Sequence, residues 1–545
     1  MKTALGDEFV NILINSQWVA SALGALPPVA TFVNKLLVNG AIGRIPSRPL
    51  PYSTMSDYTS WASLTDRTFC GRHLPSAVVP ADLPGEDEVA EKLFLRPASG
   101  MRPSLKSTVM FAHFAAWFTD SFLRIDPRDH RKNTSNHDLD LCNLYGLNSL
   151  QTDELRSKKG GKLKSQFING EEFPPRLYDE NFRLKEEFKN NQLCKPGTIE
   201  AFKRAKTLGI AKMYNLDLPV DMSAPLDPDL FAVGTERVNF QTGYLVFNTL
   251  CLREHNRICD VLQKAFGGWD DERLFQTARN ILIIVLVRIV IEEYINHISP
   301  LRFKYRFAGG AFEKQAWYRE NWMSVEFDLL YRWHSMVPDA YYYGTNGSAG
   351  GSRMVPTTET YFNNKLLIER GVGGVLDDAS RQKAGEICLF NTTSSLLPIE
   401  TFGIRAARFY KLPPYNAYRD LSQAPLVTSF EQINPDPQVQ ARLRDLYKTV
   451  DRVEYYPGLF AEPVTKNAAL PTMIGRLVAA DAFSMAMTNP LLAARIWEDE
   501  GTFTKVGMDI IQETKSLHDI VKRNARPGSD SFYINMDIVP AEMRA

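Results

Sequence analysis

The stretch EFDLLYRWHS, Glu326–Ser335, sets Tyr331 three residues before His334 with Trp333 between them. Residues at i and i+3 share a face only on a helix, so the spacing predicts a helix that aims a phenol and an imidazole into one space. A neutral imidazole nitrogen can hold haem iron, and a phenol beside it could be oxidised and carry a radical. The plainer alternative is a pair of core side chains with satisfied polar atoms. Elsewhere helix-period segments dominate, alternating strand runs are few and no fixed-length repeat is visible. The expected fold is therefore mainly α.

Lys plus Arg equals Asp plus Glu at 63 each, a formal net charge of zero. No basic patch interleaved with aromatics stands out, so nucleic acid is not an expected partner. The six cysteines (Cys70, Cys142, Cys194, Cys251, Cys259, Cys388) are scattered and form no CxxC. That spacing argues against a disulfide scaffold and against a Cys-rich zinc site. Asp7 and Glu8 interrupt any apolar signal segment behind Met1 and Lys2, so the expected location is intracellular and not secreted. Under that expectation the sequons at Asn133, Asn346 and Asn391 carry no weight. The most apolar run, Ile281–Ile291, is broken by Arg288 and followed by Glu292 and Glu293, which suits a buried core helix better than a membrane span.

Residues 1–48 read as a unit of short apolar helices broken at Pro27 and Pro28, with Trp18 among them. Two readings stand: a segment lying in one leaflet of a membrane, peripheral and monotopic, or surface helices packed on the core. Lys and Arg are sparse on their polar face, so membrane binding would rest on apolar burial. Residues 49–545 form the second unit. From Ile45 to Pro84 the chain reads as an irregular wrap, residues 151–200 as a solvated, charged excursion, and Gly344–Ser352 as a turn without the lysine of a phosphate loop.

The YRWH block resembles the haem-ligating segment of the animal-type haem peroxidase superfamily, in its cyclooxygenase and fatty-acid dioxygenase branch. So do Gly234–Leu262 (GTERVNFQTGYLVFNTLCLREHNRICDVL), Leu274–Ser299, Glu91–Pro97, Met110–Asp126 and Asp481–Leu492, in order along about nine-tenths of the chain. The resemblance implies haem b as cofactor, with His334 as iron ligand and Trp333 beside it. It implies Tyr331 as radical carrier, Tyr294 as its hydrogen-bond partner and Arg237 as the distal arginine. A salt bridge to a carboxylate such as Glu254 is the other reading of Arg237. Ser484, Phe483 and Leu330 fall on the substrate wall, with Ala482, Met485 and Met487 adding apolar surface. The implied partners are a fatty acid or other lipid and O2, and a homodimer is left open.

The chain departs from the family pattern at several places. Ala116 and Asp120 stand where the branch has its distal glutamine and histidine. Three options follow: Asp120 acts as acid–base group with a raised pKa, His113 reaches in from two turns away, or efficient peroxidase chemistry is lost. The carboxylate-anchoring arginine and tyrosine are replaced by Asn39 and Leu301, with Arg44 and Arg302 near enough in sequence to substitute. Thr119 and Phe240 or Gln241 occupy the places where related peroxidases esterify the haem, so non-covalent haem is expected. Ser121 at the acidic calcium position implies no calcium. The expected activity is a haem-dependent fatty-acid dioxygenation through a tyrosyl radical. The alternatives are peroxide-driven chemistry at Asp120 and a non-catalytic membrane-associated haem protein.

Overall fold

A computed structural model describes residues 2–43, 54–57, 60–126, 128–191, 198–201, 203, 229–318, 322–344, 352–526 and 531–539. Three helices come first: α1 (Lys2–Asn15), α2 (Gln17–Ala25) and α3 (Pro27–Ile42). The Ser16 hydroxyl caps α2 by accepting the Val19 N–H at 3.3 Å. Pro27 and Pro28 sit in the first turn of α3, where a missing N–H costs no hydrogen bond. The two helices meet at a bend of 117°. One side of α3 buries Ala30, Val33, Asn34, Leu37 and Val38, while Phe32 and Leu36, four residues apart, stay exposed. Arg44 lies outside the described residues.

Strand β1 (Pro103–Thr108) runs straight into the apolar helix α4 (Val109–Thr119). Next come α5 (Thr242–Ala265), whose N-cap Gln241 accepts the Gly243 N–H, and α6 (Asp271–Ile289). Asp270 caps α6, and Asp271 and Glu272 in its first turn complement the helix dipole. The helix continues through a π turn at Val290–Ile295 to Ile298. Its 28 residues are long and apolar enough to cross a bilayer, but 78% of the apolar window is buried inside the protein. It is the core helix anticipated for Ile281–Ile291. Helix α7 (Val325–Leu330) follows, then α8 (Leu397–Phe409), α9 (Thr472–Met487), α10 (Glu500–Glu513) and α11 (Leu517–Asn524). The core forms where α4, α5 and α6 pack together, with α10 laid on α6 and α3 laid on α9.

The remaining strands, β2 (Gln166–Ile168), β3 (Glu171–Phe173), β4 (Ala340–Tyr343), β5 (Arg353–Pro356) and β6 (Lys383–Gly385), complete three two-stranded antiparallel ribbons, β1–β6, β2–β3 and β4–β5. With 54% of the chain helical, the fold is mainly α, as expected.

Residues 151–200 depart from their reading as a solvated excursion. Leu155, Leu163, Phe173, Leu177 and Phe188 are buried. The charges that suggested solvent are largely paired: Glu171 meets Arg253 at 3.0 Å with both side chains buried, and Lys164 meets Glu187 at 2.7 Å. Cys194 and most of the Gly344–Ser352 turn fall outside the described residues. The other five cysteines are buried and free, and burial pushes each thiol up, Cys259 and Cys388 to about 12.

Candidate active site

Tyr331 and His334 do not share a helix face. Helix α7 stops at Leu330, and a separate 3₁₀ turn begins at His334. The break has a local cause. The Trp333 indole donates to the Leu330 carbonyl at 2.7 Å, and the Trp333 amide donates to the Tyr331 carbonyl at 2.9 Å. The last carbonyls of α7 are thus satisfied from outside the helix. Phenol and imidazole consequently have different neighbours.

Tyr331 is held by rings. Phe327 meets it edge-on at 5.0 Å, and Trp333 stacks on it at 4.5 Å. Tyr294 donates its hydroxyl to the Tyr331 oxygen at 3.3 Å. Tyr294 itself sits in the π turn, a feature often found at functional sites, walled by Phe111 at 5.3 Å and Phe114 at 5.5 Å. Burial raises the pKa of both phenols, so both are neutral at ordinary pH. Below this pair lies a polar knot that sequence reading did not find. His73 meets Asp481 of α9 at 2.7 Å, with Ser324, the N-cap of α7, 3.2 Å from each. It ties the helix carrying Ser484 to the helix that ends at Tyr331.

His334 Nδ1 lies 3.1 Å from Glu400 Oε1 on α8. A carboxylate partner places the proton on Nδ1 and leaves the Nε2 lone pair for a ligand. Glu400 is fixed in turn: Thr392 donates to Oε1 at 2.8 Å and Tyr456 to Oε2 at 2.5 Å. Nothing local pointed to Glu400, which stands 66 residues beyond His334.

Arg237, on the short turn Glu236–Asn239, donates to Asp120 Oδ1 at 3.0 Å. Asp120 is buried at the end of α4, and Arg124 and Thr235 each reach its Oδ2 at 3.3 Å. Burial pushes its pKa above the usual carboxylate range, while Arg124 and Arg237 pull the other way. Both oxygens accept hydrogen bonds, so Asp120 anchors Arg237, and its raised pKa is the direction expected of an acid–base group. The salt bridge that formed the other reading of Arg237 is present, to Asp120 and not to Glu254, which pairs with Arg257 and Arg523. His113 does not take the distal place either. It is buried against Tyr341 and Gly243, where no room exists for a Cβ, and burial lowers its pKa to about 4.

A profile of the family described as Animal haem peroxidase matches residues 114–532. The chain belongs to that family. Among curated proteins it is 29% identical over 528 residues to prostaglandin G/H synthase 2 of Equus caballus, covering 94% of this chain and 80% of that protein. It is 30% identical over 516 residues to prostaglandin G/H synthase 1 of Rattus norvegicus, covering 91% and 78%. Among solved structures, the fatty acid alpha-dioxygenase of Oryza sativa superposes with a TM-score of 0.67 at 15% identity, covering 96% of this chain and 94% of that one. Peroxidase A from Dictyostelium discoideum gives 0.64 at 18% identity, covering 90% and 99%.

Haem iron is the cofactor of an animal haem peroxidase, and the residues present fit it. His334 offers a carboxylate-oriented imidazole with a fifth of its side chain exposed, and Arg237 a guanidinium with a third exposed. At the ester positions the Thr119 hydroxyl donates to the Ala115 carbonyl, Phe240 stacks on Tyr361, and Gln241 caps α5 and donates to Tyr341. The substrate-wall candidates Leu330, Phe483 and Ser484 are all buried, with Phe483 against Tyr305 at 4.8 Å and the Ser484 hydroxyl donating to the Asp481 carbonyl. Arg302 is drawn elsewhere. Its backbone N–H donates to the Leu13 carbonyl and its guanidinium to the Ile14 carbonyl and Gln17, stapling α1 and α2 to the rest. Asn39 accepts from the Trp317 indole.

Proposed function

We propose that the chain is a haem-dependent dioxygenase that oxygenates an unsaturated fatty acid to a lipid hydroperoxide through a radical on Tyr331. The observation that carries the reading is the Tyr294–Tyr331 hydroxyl pair, seated three residues from the candidate iron ligand. When bound, haem would supply the one-electron oxidant for the Tyr331 phenol, whose proton passes to solvent as the neutral phenoxyl radical forms. His334 Nε2 would ligate its iron, with no ester link to the porphyrin, and Glu400 keeps the proton on Nδ1. Arg237, fixed by Asp120, presents a permanent positive charge to an oxygen anion without needing to titrate.

Because Tyr294 is the donor, the Tyr331 oxygen keeps a hydrogen bond after losing its own hydrogen, which stabilises the phenoxyl radical. That radical takes a hydrogen atom from the lipid and returns to phenol. O2 adds to the carbon radical, and the peroxyl product recovers a hydrogen atom from Tyr331. The similarity to prostaglandin G/H synthases and the fold shared with a fatty acid alpha-dioxygenase support this reading. The peroxide-driven alternative needs Asp120 to move protons, and its committed oxygens count against that. Helices α1–α3 serve as a membrane-docking module in this reading, supported by exposed Trp18, Leu26, Phe32 and Leu36.

The test is O2 uptake by the haem-loaded protein with a panel of unsaturated fatty acids, with and without a trace of hydroperoxide. Tyr331→Phe should abolish uptake while the haem spectrum persists. Uptake that survives the substitution sinks the tyrosyl mechanism.

A further inference from the structure

A cavity of about 500 Å³ opens between β1, the segment following α6, the loop before α9 and the start of α2. Lys106, Arg302, Lys304 and Lys466 line it, against the single carboxylate of Glu386. That carboxylate is already 3.6 Å from Arg102. Lys304 and Lys466 are exposed and form no ion pair among the described residues. Lys106 reaches in from β1 with its ammonium on the carbonyls of Ser299 and Asn467. Burial lowers its pKa to about 8, with Asp537 opposing.

The cavity touches the N-terminal helices at one residue. Gln17 lines it, and the next residue, Trp18, is 79% exposed. The cations that are sparse on α1–α3 are thus supplemented from the body of the protein, next to a residue of α2. A fatty carboxylate carries one charge. Four cations around one shared space suit a phosphate better, and a phosphate next to an apolar surface is the chemistry of a phospholipid headgroup.

We propose that this cavity is a binding site for the phosphate headgroup of an anionic phospholipid, engaged when α1–α3 dock on a membrane. The assignment rests on the membrane reading above, and the experiment separates the two. The haem-loaded full chain is co-sedimented with phosphatidylcholine vesicles and with the same vesicles containing phosphatidic acid, comparing wild type with Lys304→Gln/Lys466→Gln. A control, Lys158→Gln/Lys189→Gln, removes the same charge from exposed lysines outside the cavity.

A lysine at an anionic surface is worth roughly fivefold in binding. The expected result is a preference for acidic vesicles that falls by about tenfold or more in the cavity variant, holds in the control, and leaves phosphatidylcholine binding unchanged. Equal binding to both vesicles, or equal losses in variant and control, overturns the headgroup site and leaves the membrane reading standing. Binding to neither vesicle overturns both. A cavity-dependent thermal shift with inorganic phosphate, without vesicle preference, reassigns the site to a soluble phosphate and overturns the lipid assignment.

Discussion

Glu400 fixes the imidazole of the proposed iron ligand, His334, without lying beside it in sequence. Its Oε1 accepts from His334, and Thr392 and Tyr456 leave it no other orientation. Replacing it with glutamine removes the charge that fixes the imidazole tautomer. Haem affinity of Glu400→Gln should fall about 10- to 100-fold, read by titrating haem into the apoprotein and following the Soret band. An unchanged affinity means that His334 needs no such support. At this scale the candidate residues were legible in the sequence but their partners were not. Tyr331, His334, Arg237 and Tyr294 stand in contiguous blocks whose spacing survives in the chain. Glu400 at 66 residues and the His73–Asp481 contact at 408 residues are long-range pairings that leave no periodic trace. Asp120 was visible as a departure, yet its role as the anchor of Arg237 depends on Arg124 and Thr235 arriving from either side.

Among the elements, the π turn at the end of α6 does the most to set the tyrosine pair. It inserts one residue per turn beyond the α count, so everything after it is rotated by about 100° per residue gained or lost. Tyr294 lies inside the turn, and His297 just after it is held between Ser107 at 2.9 Å and Asp537 at 3.0 Å. Deleting Ile291 restores an α count and swings Tyr294 away from Tyr331. The deletion variant should still bind haem, because His334 and Glu400 lie on other elements, but O2 uptake should be lost. Full uptake in a haem-bound deletion variant excludes a role for the Tyr294 hydroxyl. Periodicity exposed the apolar face of α6 but not this extra residue, since a single insertion hardly disturbs a pattern buried all round. The end of α7 was hidden for a related reason. Trp333 looks helix-compatible in EFDLLYRWHS, and its indole bond to Leu330 and amide bond to Tyr331 end the helix.

For the molecule as a whole, acid stability follows from two histidines folded in their neutral form. Burial lowers His113 and His255 to about 4 from an ordinary value near 6.5. His255 is neutral by geometry as well, with Nε2 3.0 Å from the Gly161 carbonyl and Nδ1 2.9 Å from the Tyr145 hydroxyl. Above pH 6.5 neither state binds these protons and stability is at its full value. As pH falls toward 4, the unfolded chain takes them up and the native one does not, so stability drops by about 3 kcal/mol per histidine. Urea midpoints should decline from pH 7 to pH 5 with an uptake approaching two protons on unfolding. A flat profile over that range contradicts the burial of these rings.

The five described cysteines add one more property of the whole chain. Under the proposed activity the product is a hydroperoxide, an oxidant, and a thiol is attacked chiefly as thiolate. Every one of these thiols is buried and held protonated, so a hydroperoxide formed by the proposed reaction would meet thiols poorly suited to form sulfenic acid or mixed disulfides. Oxidative wear is displaced to the surface instead. There Met354 at 58% exposure and Trp61 at 74% are the side chains such an oxidant would reach first.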